Sequence, residues 1–208
     1  MASTDPWDGR LARWLVRPLR DTPVHPNHVT TAALATGLVA AALFAAGSER
    51  TVTAGGLAFV LSSLLDHADG ELARMAGKTS DFGRAYDRVA DLVVKLAVFA
   101  GMGIGASGGR LGRWPALMGL VAGTALVAIF SMRSEMLRRR GPSMLTQPSA
   151  GGFEIEDVLY VIAPVAWAGW IGPFVMAAGV GAPLFALRVT RQWLRDRVRL
   201  LDNPETSH

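Results

Sequence analysis

Cysteine is absent from the 208 residues, which removes disulfide frameworks, zinc knuckles and thiol nucleophiles together and leaves the redox compartment unreadable. Charge is scarce too: 18% of residues are charged while half are hydrophobic. The mean hydropathy is positive, so the chain is more apolar than an ordinary soluble domain. Aromatic residues make up only 8%, and no basic, aromatic-bearing stretch of the kind that reads nucleic acid is present. No nucleic-acid partner is expected. No internal repeat of about 20–50 residues breaks the chain into units. The net charge of +4 becomes informative only once the charges are placed along the chain.

What the chain has is apolar runs, at residues 29–47, 51–65, 92–106, 114–132, 158–171 and 174–187. About twenty residues are needed to span a bilayer core, and only the first and fourth runs approach that unaided. The second helix is therefore expected to continue through residues 66–75 and the third to begin near Gly83, which carries carboxylates to membrane depth. Gly172-Pro173 is expected to separate the last two runs, because proline inside a helix costs about 3 kcal/mol. With six spans, seventeen of the twenty-one lysines and arginines fall on one side, leaving Arg50, Arg110 and Arg113 outside and Lys95 within the third helix. By the positive-inside rule that side is the cytoplasm. A five-span count puts five arginines on the wrong side.

Before the first span, Trp7, Leu11, Trp14, Leu15 and Pro18 share one helical face and Arg10, Arg13, Arg17 and Arg20 the other. That pattern is an interfacial helix on anionic headgroups. Its basic region is longer than that of a cleaved signal peptide, and five more apolar segments follow, so it is expected to remain. The expected fold is an all-α integral membrane protein: six transmembrane helices preceded by an interfacial amphipathic helix, both termini cytoplasmic. Residues 1–28 form the amphipathic helix and linker, 29–194 the six-helix domain and 195–208 a basic tail whose end, from Leu200, is mobile.

The chemistry is concentrated in Asp66-His67-Ala68-Asp69-Gly70-Glu71-Leu72-Ala73-Arg74 and, eight residues on, Gly83-x-x-x-Asp87-x-x-x-Asp91. Asp66 and Asp69 are three apart and Asp87 and Asp91 four apart, so each pair shares a helix face. Intramembrane aspartates each cost roughly 2.5–3.5 kcal/mol at a helix centre, and four together demand cations. Hard oxygen donors select Mg²⁺ or Mn²⁺, and two such ions can neutralise a pyrophosphate and its leaving oxygen. Gly70, Ala73 and Gly83 let a flat ligand such as a nucleotide approach the backbone, and Arg74 is placed to meet phosphate oxygens. Capping and loop ion pairs with Arg74, Lys78, Arg84 and Arg88 would account for one such aspartate. They do not account for four with three small residues in register.

These residues match D-x-x-D-G-x-x-A-R-x8-G-x3-D-x3-D at every specified position, so the sequence resembles the CDP-alcohol phosphotransferase (CDP-alcohol phosphatidyltransferase class I) family. The signature covers residues 66–91, and the six-helix layout is similar across most of the chain. The resemblance implies an enzyme of phospholipid biosynthesis that moves a phosphatidyl or other phospho-alcohol group from a CDP-alcohol to a hydroxyl acceptor and releases CMP. It implies metal ligation of two Mg²⁺ or Mn²⁺ ions by Asp66, Asp69 and Asp87, with CDP held by Asp66, Asp69, Gly70, Ala73, Arg74 and Gly83. Asp91 is implied as the base, with a second role at the metals not separable from it. The implied partners are a CDP-linked lipid, a small hydroxyl acceptor, membrane lipids and a second copy in a homodimer. The implied place is the prokaryotic inner membrane, with the site facing the cytoplasm.

Arg133, in Arg133-Ser134-Glu135, resembles an acceptor-side element of family members that use phosphorylated polyols such as inositol phosphate or glycerol phosphate. Arg138 to Arg140, Arg188 and Arg191 could join it, although the positive-inside rule accounts for many of these arginines. Pro26-Asn27-His28-Val29-Thr30 opens the first helix and resembles the family's usual Pro-Asn-x-hydrophobic-Thr entry, where Asn27 is expected to cap in preference to contacting the nucleotide. Lys95 is expected to pair with Asp91 or a nearby carboxylate, and His67 to point off the aspartate face. Gly101/Gly105 and Gly119/Gly123 mark close helix contacts, within the chain or between copies. Trp14, Trp114 and Trp193 suit interfacial anchoring. Two other classes carry intramembrane carboxylates. An aspartate-rich prenyltransferase needs two separated clusters, and an ion-conducting protein leaves the small-residue spacing without purpose.

Overall fold

The computed structural model describes residues 13–20, 22–109, 111–140 and 161–202. Trp7, Arg10, Leu11, Arg110, the opening of the fifth run at 158–160 and the end of the tail at 203–208 lie outside the described residues, as do the side chains of Arg138 to Arg140 and Arg199. The described chain is all helical. After a helical turn at 13–16 and a 3-10 turn at Arg17–Leu19 come α1 (Pro26–Ala46), α2 (Glu49–Met75), α3 (Asp81–Gly105), α4 (Trp114–Arg140), α5 (Ile162–Trp167) and α6 (Ile171–Asp202).

Local chemistry sets the ends. Ser48 and Thr51 cap α2 reciprocally, Gly47 turns the chain out of α1 at φ 70°, and Ser80 accepts from the Gly83 amide to start α3. The expected extension of the second and third spans into the signature is borne out, since α2 runs to Met75 and α3 starts at Asp81. Three differences have physical causes. The cap of α1 is His25, whose Nδ1 accepts from the Asn27 amide at 3.3 Å while His28 Nδ1 accepts from the His25 amide at 3.3 Å; Asn27 is thus inside the helix and its side chain is free for another use. The break before the last helix lies at Ala168 to Trp170, with Gly169 at φ 71°, and not at Gly172-Pro173; Pro173 sits in the first turn of α6, where no intrahelical donor is lost. Finally, α6 continues through 195 to Asp202, so the expected tail is helical over that stretch. No glycine or proline interrupts it between Pro183 and Pro204.

Helix α1 is the spine, packed closely on both α2 and α3, while α4 packs on α3 and α6 and α5 lies on α2. Glycine makes this possible. A Cβ on Gly101 would stand 2.3 Å from the Ala41 carbonyl oxygen, and one on Gly105 1.9 Å from that of Phe44, so α3 meets α1 backbone to backbone. Gly119 meets Phe99 and Gly103, and Gly123 meets Leu96, joining α4 to α3. Both small-residue pairs are therefore used within the chain, the first of the two alternatives their spacing left open. Phe44, Val98, Phe99, Met102, Ile162 and Val175 fill the core between the helices.

Leu38, Val39, Leu57, Leu61, Val93, Leu117, Leu120, Val180, Leu184 and Leu187 are all exposed, an outward apolar belt suited to lipid. By length and composition Pro26–Ala46, Trp114–Met136 and Ile171–Arg195 can cross a membrane. Trp114, Trp167 and Trp170 are exposed at one end of the bundle and Trp14 at the other. In the leading segment Trp14, Leu15 and Pro18 face outward as the amphipathic pattern requires, while Val16 is buried against Val29, Ala68 and Leu72. Arg13 Nε reaches Glu71 Oε2 at 3.3 Å and ties this segment to α2.

Candidate active site

Although α2 and α3 are consecutive and both pack on α1, among the described residues they hardly touch each other. The signature faces look across the resulting gap, with α1 as its floor and α4 as a far wall. A cavity of about 350 Å³ occupies it, lined by Asp66, Asp87 and Asp91, by Arg84, Arg88 and Lys95, and by Ser62, Ser63, His67 and, from α4, Phe130 and Ser134. Beside it lies a smaller cleft of about 70 Å³ lined by Asn27, Thr30, Asp69, Gly70, Ala73, Lys78, Gly83, Arg84 and Asp87. Asp87 and Arg84 belong to both. The four aspartates are brought together, arranged around Asp87 as a hinge between two chambers.

The electrostatics agree with the geometry. Asp66 lies within reach of the charges of Asp91, Asp87 and Asp69, and Asp87 within reach of Asp91. Two of the four carboxylates are already held. Thr30 on α1 donates its hydroxyl to buried Asp69, and Lys95, one turn along α3, is ion-paired with Asp91, as expected. The cleft is shaped by close approaches: a Cβ on Gly83 would stand 3.0 Å from Ser80 Oγ and 3.2 Å from Asn27 Oδ1, so a side chain there would fill it. Asn27 thus faces the cleft across from α3, the side that the less favoured of its two readings requires. Lys78 closes one side, donating from Nζ to the Thr22 carbonyl at 3.0 Å and to that of Val24 at 3.1 Å. It straps the linker ahead of α1 onto the α2–α3 connection.

Other expected residues stand elsewhere. Arg74 is exposed and paired with Glu71 at 3.0 Å, lining neither chamber, although its guanidinium passes over Gly70. Arg133 is half-buried next to Ser134 but is not on the wall itself. Arg188 and Arg191 are exposed on α6, flanking the point where Val189 and Thr190 pack on Met132 and Met136 of α4. The structure gathers these three at the α4–α6 junction and does not bring them into the cavity. Its wall arginines are Arg84 and Arg88, which sequence reasoning counted as cytoplasmic charge and as loop ion-pair partners, not as site residues. Their spacing three residues before Asp87 and Asp91 placed them on the signature face all along. His67 also departs from expectation: it lines the larger cavity, with Nδ1 on the Ser63 carbonyl at 2.8 Å, because the wide gap admits a side chain one position off the aspartate stripe.

For a divalent cation the donor chemistry fits. Among the described residues no three carboxylate or imidazole groups already surround a single point. The available donors are nonetheless hard carboxylate oxygens that repel one another across a polar gap, which is the demand that Mg²⁺ or Mn²⁺ answers.

Comparison with known proteins accords with this site. The CDP-alcohol phosphatidyltransferase family matches residues 23–190. The bifunctional IPC transferase and DIPP synthase of Rubrobacter xylanophilus is 34% identical over 174 residues, covering 82% of this chain and 37% of that protein; the chain thus spans little more than a third of this relative. The crystal structure of phosphatidylinositol phosphate synthase from Mycobacterium tuberculosis, with CDP-DAG bound, shares the fold at a TM-score of 0.62 over 86% of this chain and 93% of that one, at 21% identity. With the family's match running through the leading linker, the signature and α6, this chain belongs to the CDP-alcohol phosphatidyltransferase family.

Proposed function

We propose that the chain transfers a phosphatidyl group from a CDP-linked lipid, CDP-diacylglycerol in the first place, to the hydroxyl of a small phosphorylated polyol, releasing CMP. The observation that carries this reading is the gap between α2 and α3, where a small cleft floored by Gly70, Ala73 and Gly83 and a larger polar cavity meet at Asp87 and Arg84. The cytidine side of the donor lies along Gly70, Ala73, Gly83 and Asn27, and its pyrophosphate lies at the junction beside Arg84. The acceptor occupies the larger cavity and presents its hydroxyl to Asp91.

Asp91 takes the proton of that hydroxyl as its oxygen bonds to the β-phosphorus, and the bond from that phosphorus to the CMP oxygen breaks. Asp66, Asp69 and Asp87 hold Mg²⁺ or Mn²⁺, which supplies charge neutralisation for the pyrophosphate and the departing CMP. Arg88 on the cavity wall supplies a guanidinium for an acceptor phosphate, with Arg133, Arg188 and Arg191, outside the cavity at the α4–α6 junction, as more distant cations. The named activity of the mycobacterial structure favours inositol phosphate as that acceptor. A soluble CDP-alcohol, which the family's chemistry also admits, is the donor to test beside CDP-diacylglycerol.

In the membrane, the six-span arrangement with both termini cytoplasmic puts the two chambers on the cytoplasmic side of a prokaryotic inner membrane. A homodimer, if formed, uses outward faces other than the glycine pairs spent within the chain.

Membranes holding the chain, given Mg²⁺, CDP-diacylglycerol and radiolabelled acceptors, are expected to release CMP with a phosphorylated polyol and to stop on addition of EDTA. Release with none of inositol phosphate, glycerol phosphate, serine, choline or ethanolamine, from either donor, would end this reading. Arg84→Gln is expected to raise the donor KM about tenfold or more, since a hydrogen bond to a charged group contributes roughly 1.5–3 kcal/mol. An unchanged donor KM would remove Arg84 from the pyrophosphate.

A further inference from the structure

The linker ahead of α1 is short of hydrogen-bond donors. Pro23 and Pro26 carry no amide hydrogen, the Val24 amide is taken up by Thr22 Oγ1 at 3.4 Å, and that hydroxyl donates to the Leu19 carbonyl at 2.7 Å. The carbonyls of Thr22 and Val24 must therefore find donors elsewhere. Both find the same one, Lys78 Nζ, at 3.0 and 3.1 Å across 56 and 54 residues of chain. An ammonium suits the place, because its three donors can serve two carbonyls while it keeps its charge. The root of this lysine is fixed as firmly as its tip. Helix α2 ends in a left-handed turn at Gly77, φ 63°, where the Lys78 amide donates back to the Ala73 carbonyl at 3.0 Å and the Gly77 amide to that of Arg74 at 3.4 Å. This is a Schellman closure. Lys78 thus belongs to the end of α2 while its side chain grips the linker.

The strap crosses one side of the smaller cleft. Lys78 lines that cleft with Asn27, from the first turn of α1, and Gly83, from the first turn of α3. The turn bearing Asn27 follows the strapped linker directly: His25 caps it and Pro26 opens it buried. One turn further on, Thr30 is held separately by Asp69. The strap therefore governs where Pro26 and Asn27 stand and leaves the aspartates to other restraints. We propose that Lys78 is a positioning residue for the cytidine side of the donor: by gripping the Thr22 and Val24 carbonyls it fixes the first turn of α1, and with it Asn27, opposite Gly83. Without the grip the linker keeps its own turn but loses its tie to α2, and Asn27 is free to move away from α3. The inference rests on the reading of this cleft as the donor's. It gives a role to a residue inside the spacer between Arg74 and Gly83, whose identity the signature leaves open.

The test is calorimetric binding of CMP, with Mg²⁺, to the detergent-solubilised full chain, read beside the donor KM. Lys78→Met should raise the CMP Kd and the donor KM about tenfold, the scale of one charge-assisted hydrogen bond, with little change in kcat at saturating donor. Lys78→Arg keeps the charge and the donors and should recover most of the loss. Asn27→Ala should weaken CMP binding too, and adding Lys78→Met to it should weaken binding little further, because the lysine acts by placing Asn27. Thr22→Val removes the hydroxyl that shapes the linker and should act in the same direction by less; it carries the test if Lys78→Met does not fold. Since the chain has no cysteine, spin labels on Pro23→Cys and Thr79→Cys report the strap with no ligand present, and Lys78→Met should broaden their separation. The proposal is overturned by CMP affinity and donor KM indifferent to Lys78→Met and Thr22→Val, by losses from Lys78→Met and Asn27→Ala that simply add, or by an unaltered label separation. A lower Tm and kcat at unchanged donor KM would overturn it as well, by marking a lysine that only holds the fold. Failure of the functional reading shows separately, as absence of CMP release from the unmodified protein, because the label separation requires no substrate.

Discussion

Asp91→Asn is expected to reduce CMP release about 10²- to 10⁴-fold, the range attributed to a positioned general base, while the affinity for the CDP-linked donor stays close to that of the unmodified protein. Asparagine keeps the shape of the side chain and its place in the cavity but cannot take a proton from the acceptor. In the proposed arrangement the donor is met, by contrast, by the cleft on the far side of Asp87 and by Arg84, none of which the substitution touches. The matching control is Asp66→Ala or Asp87→Ala. These remove donors for the divalent ion and should abolish metal-dependent turnover outright, with donor binding impaired as well in the case of Asp87, which lines both chambers. Steady-state kcat and donor KM, read beside equilibrium binding of the CDP-lipid, distinguish the two patterns. Normal turnover by Asp91→Asn would exclude it as the base, and intact metal-dependent turnover by Asp66→Ala or Asp87→Ala would remove the metal site.

The second large effect is structural. Gly105→Ala is expected to destabilise the bundle by about 1–3 kcal/mol or more, the usual cost of overpacking, because its Cβ would stand 1.9 Å from the Phe44 carbonyl oxygen. That neighbour is backbone, so no rotamer change relieves the contact; α1 and α3 must separate. Gly101→Ala, at 2.3 Å from the Ala41 oxygen, should act in the same way. Gly108→Ala is the informative contrast, since no atom lies within 4 Å of its Cβ position although its φ of 93° adds local backbone strain. Its effect should be confined to the loop. A thermal melt of detergent-solubilised protein checks the ranking, and a Gly105→Ala variant melting with the unmodified chain would show that α1 and α3 do not meet as described. Since α1 floors the gap that holds the aspartates, the substitution should also lower activity in step with stability.

Much of the candidate site was legible in the residues. The spacing of Asp66, Asp69, Asp87 and Asp91 required two helix faces, and the extension of apolar runs into that segment required those faces near the membrane boundary. Lys95 one turn beyond Asp91 announced its ion pair for the same reason, since helical periodicity is local and short-range. The arginines were harder. Arg84 and Arg88 share the signature helix with the aspartates, yet in a chain where the positive-inside rule alone would explain most basic residues, nothing local distinguishes a wall residue from a solvated one.

The sequence by itself determined the all-helical class, the positions where apolar helical runs pass into a charged end, the chemistry of oxygen donors and, through its eight-residue spacer, the two acidic helix faces. These follow from hydrophobic periodicity and residue type, which act within a few turns of chain. Only the tertiary structure decided that α2 and α3 stand apart on α1 instead of packing together, so that the acidic faces border two chambers and not one. It also decided that Asn27 faces the cleft while His25 caps, that Gly101, Gly105, Gly119 and Gly123 are consumed inside the chain, and that Phe130, 35 residues further along the chain, lies against the Lys95 ammonium. Each depends on where helices distant in sequence cross, and that is settled by close packing of side chains across the whole bundle.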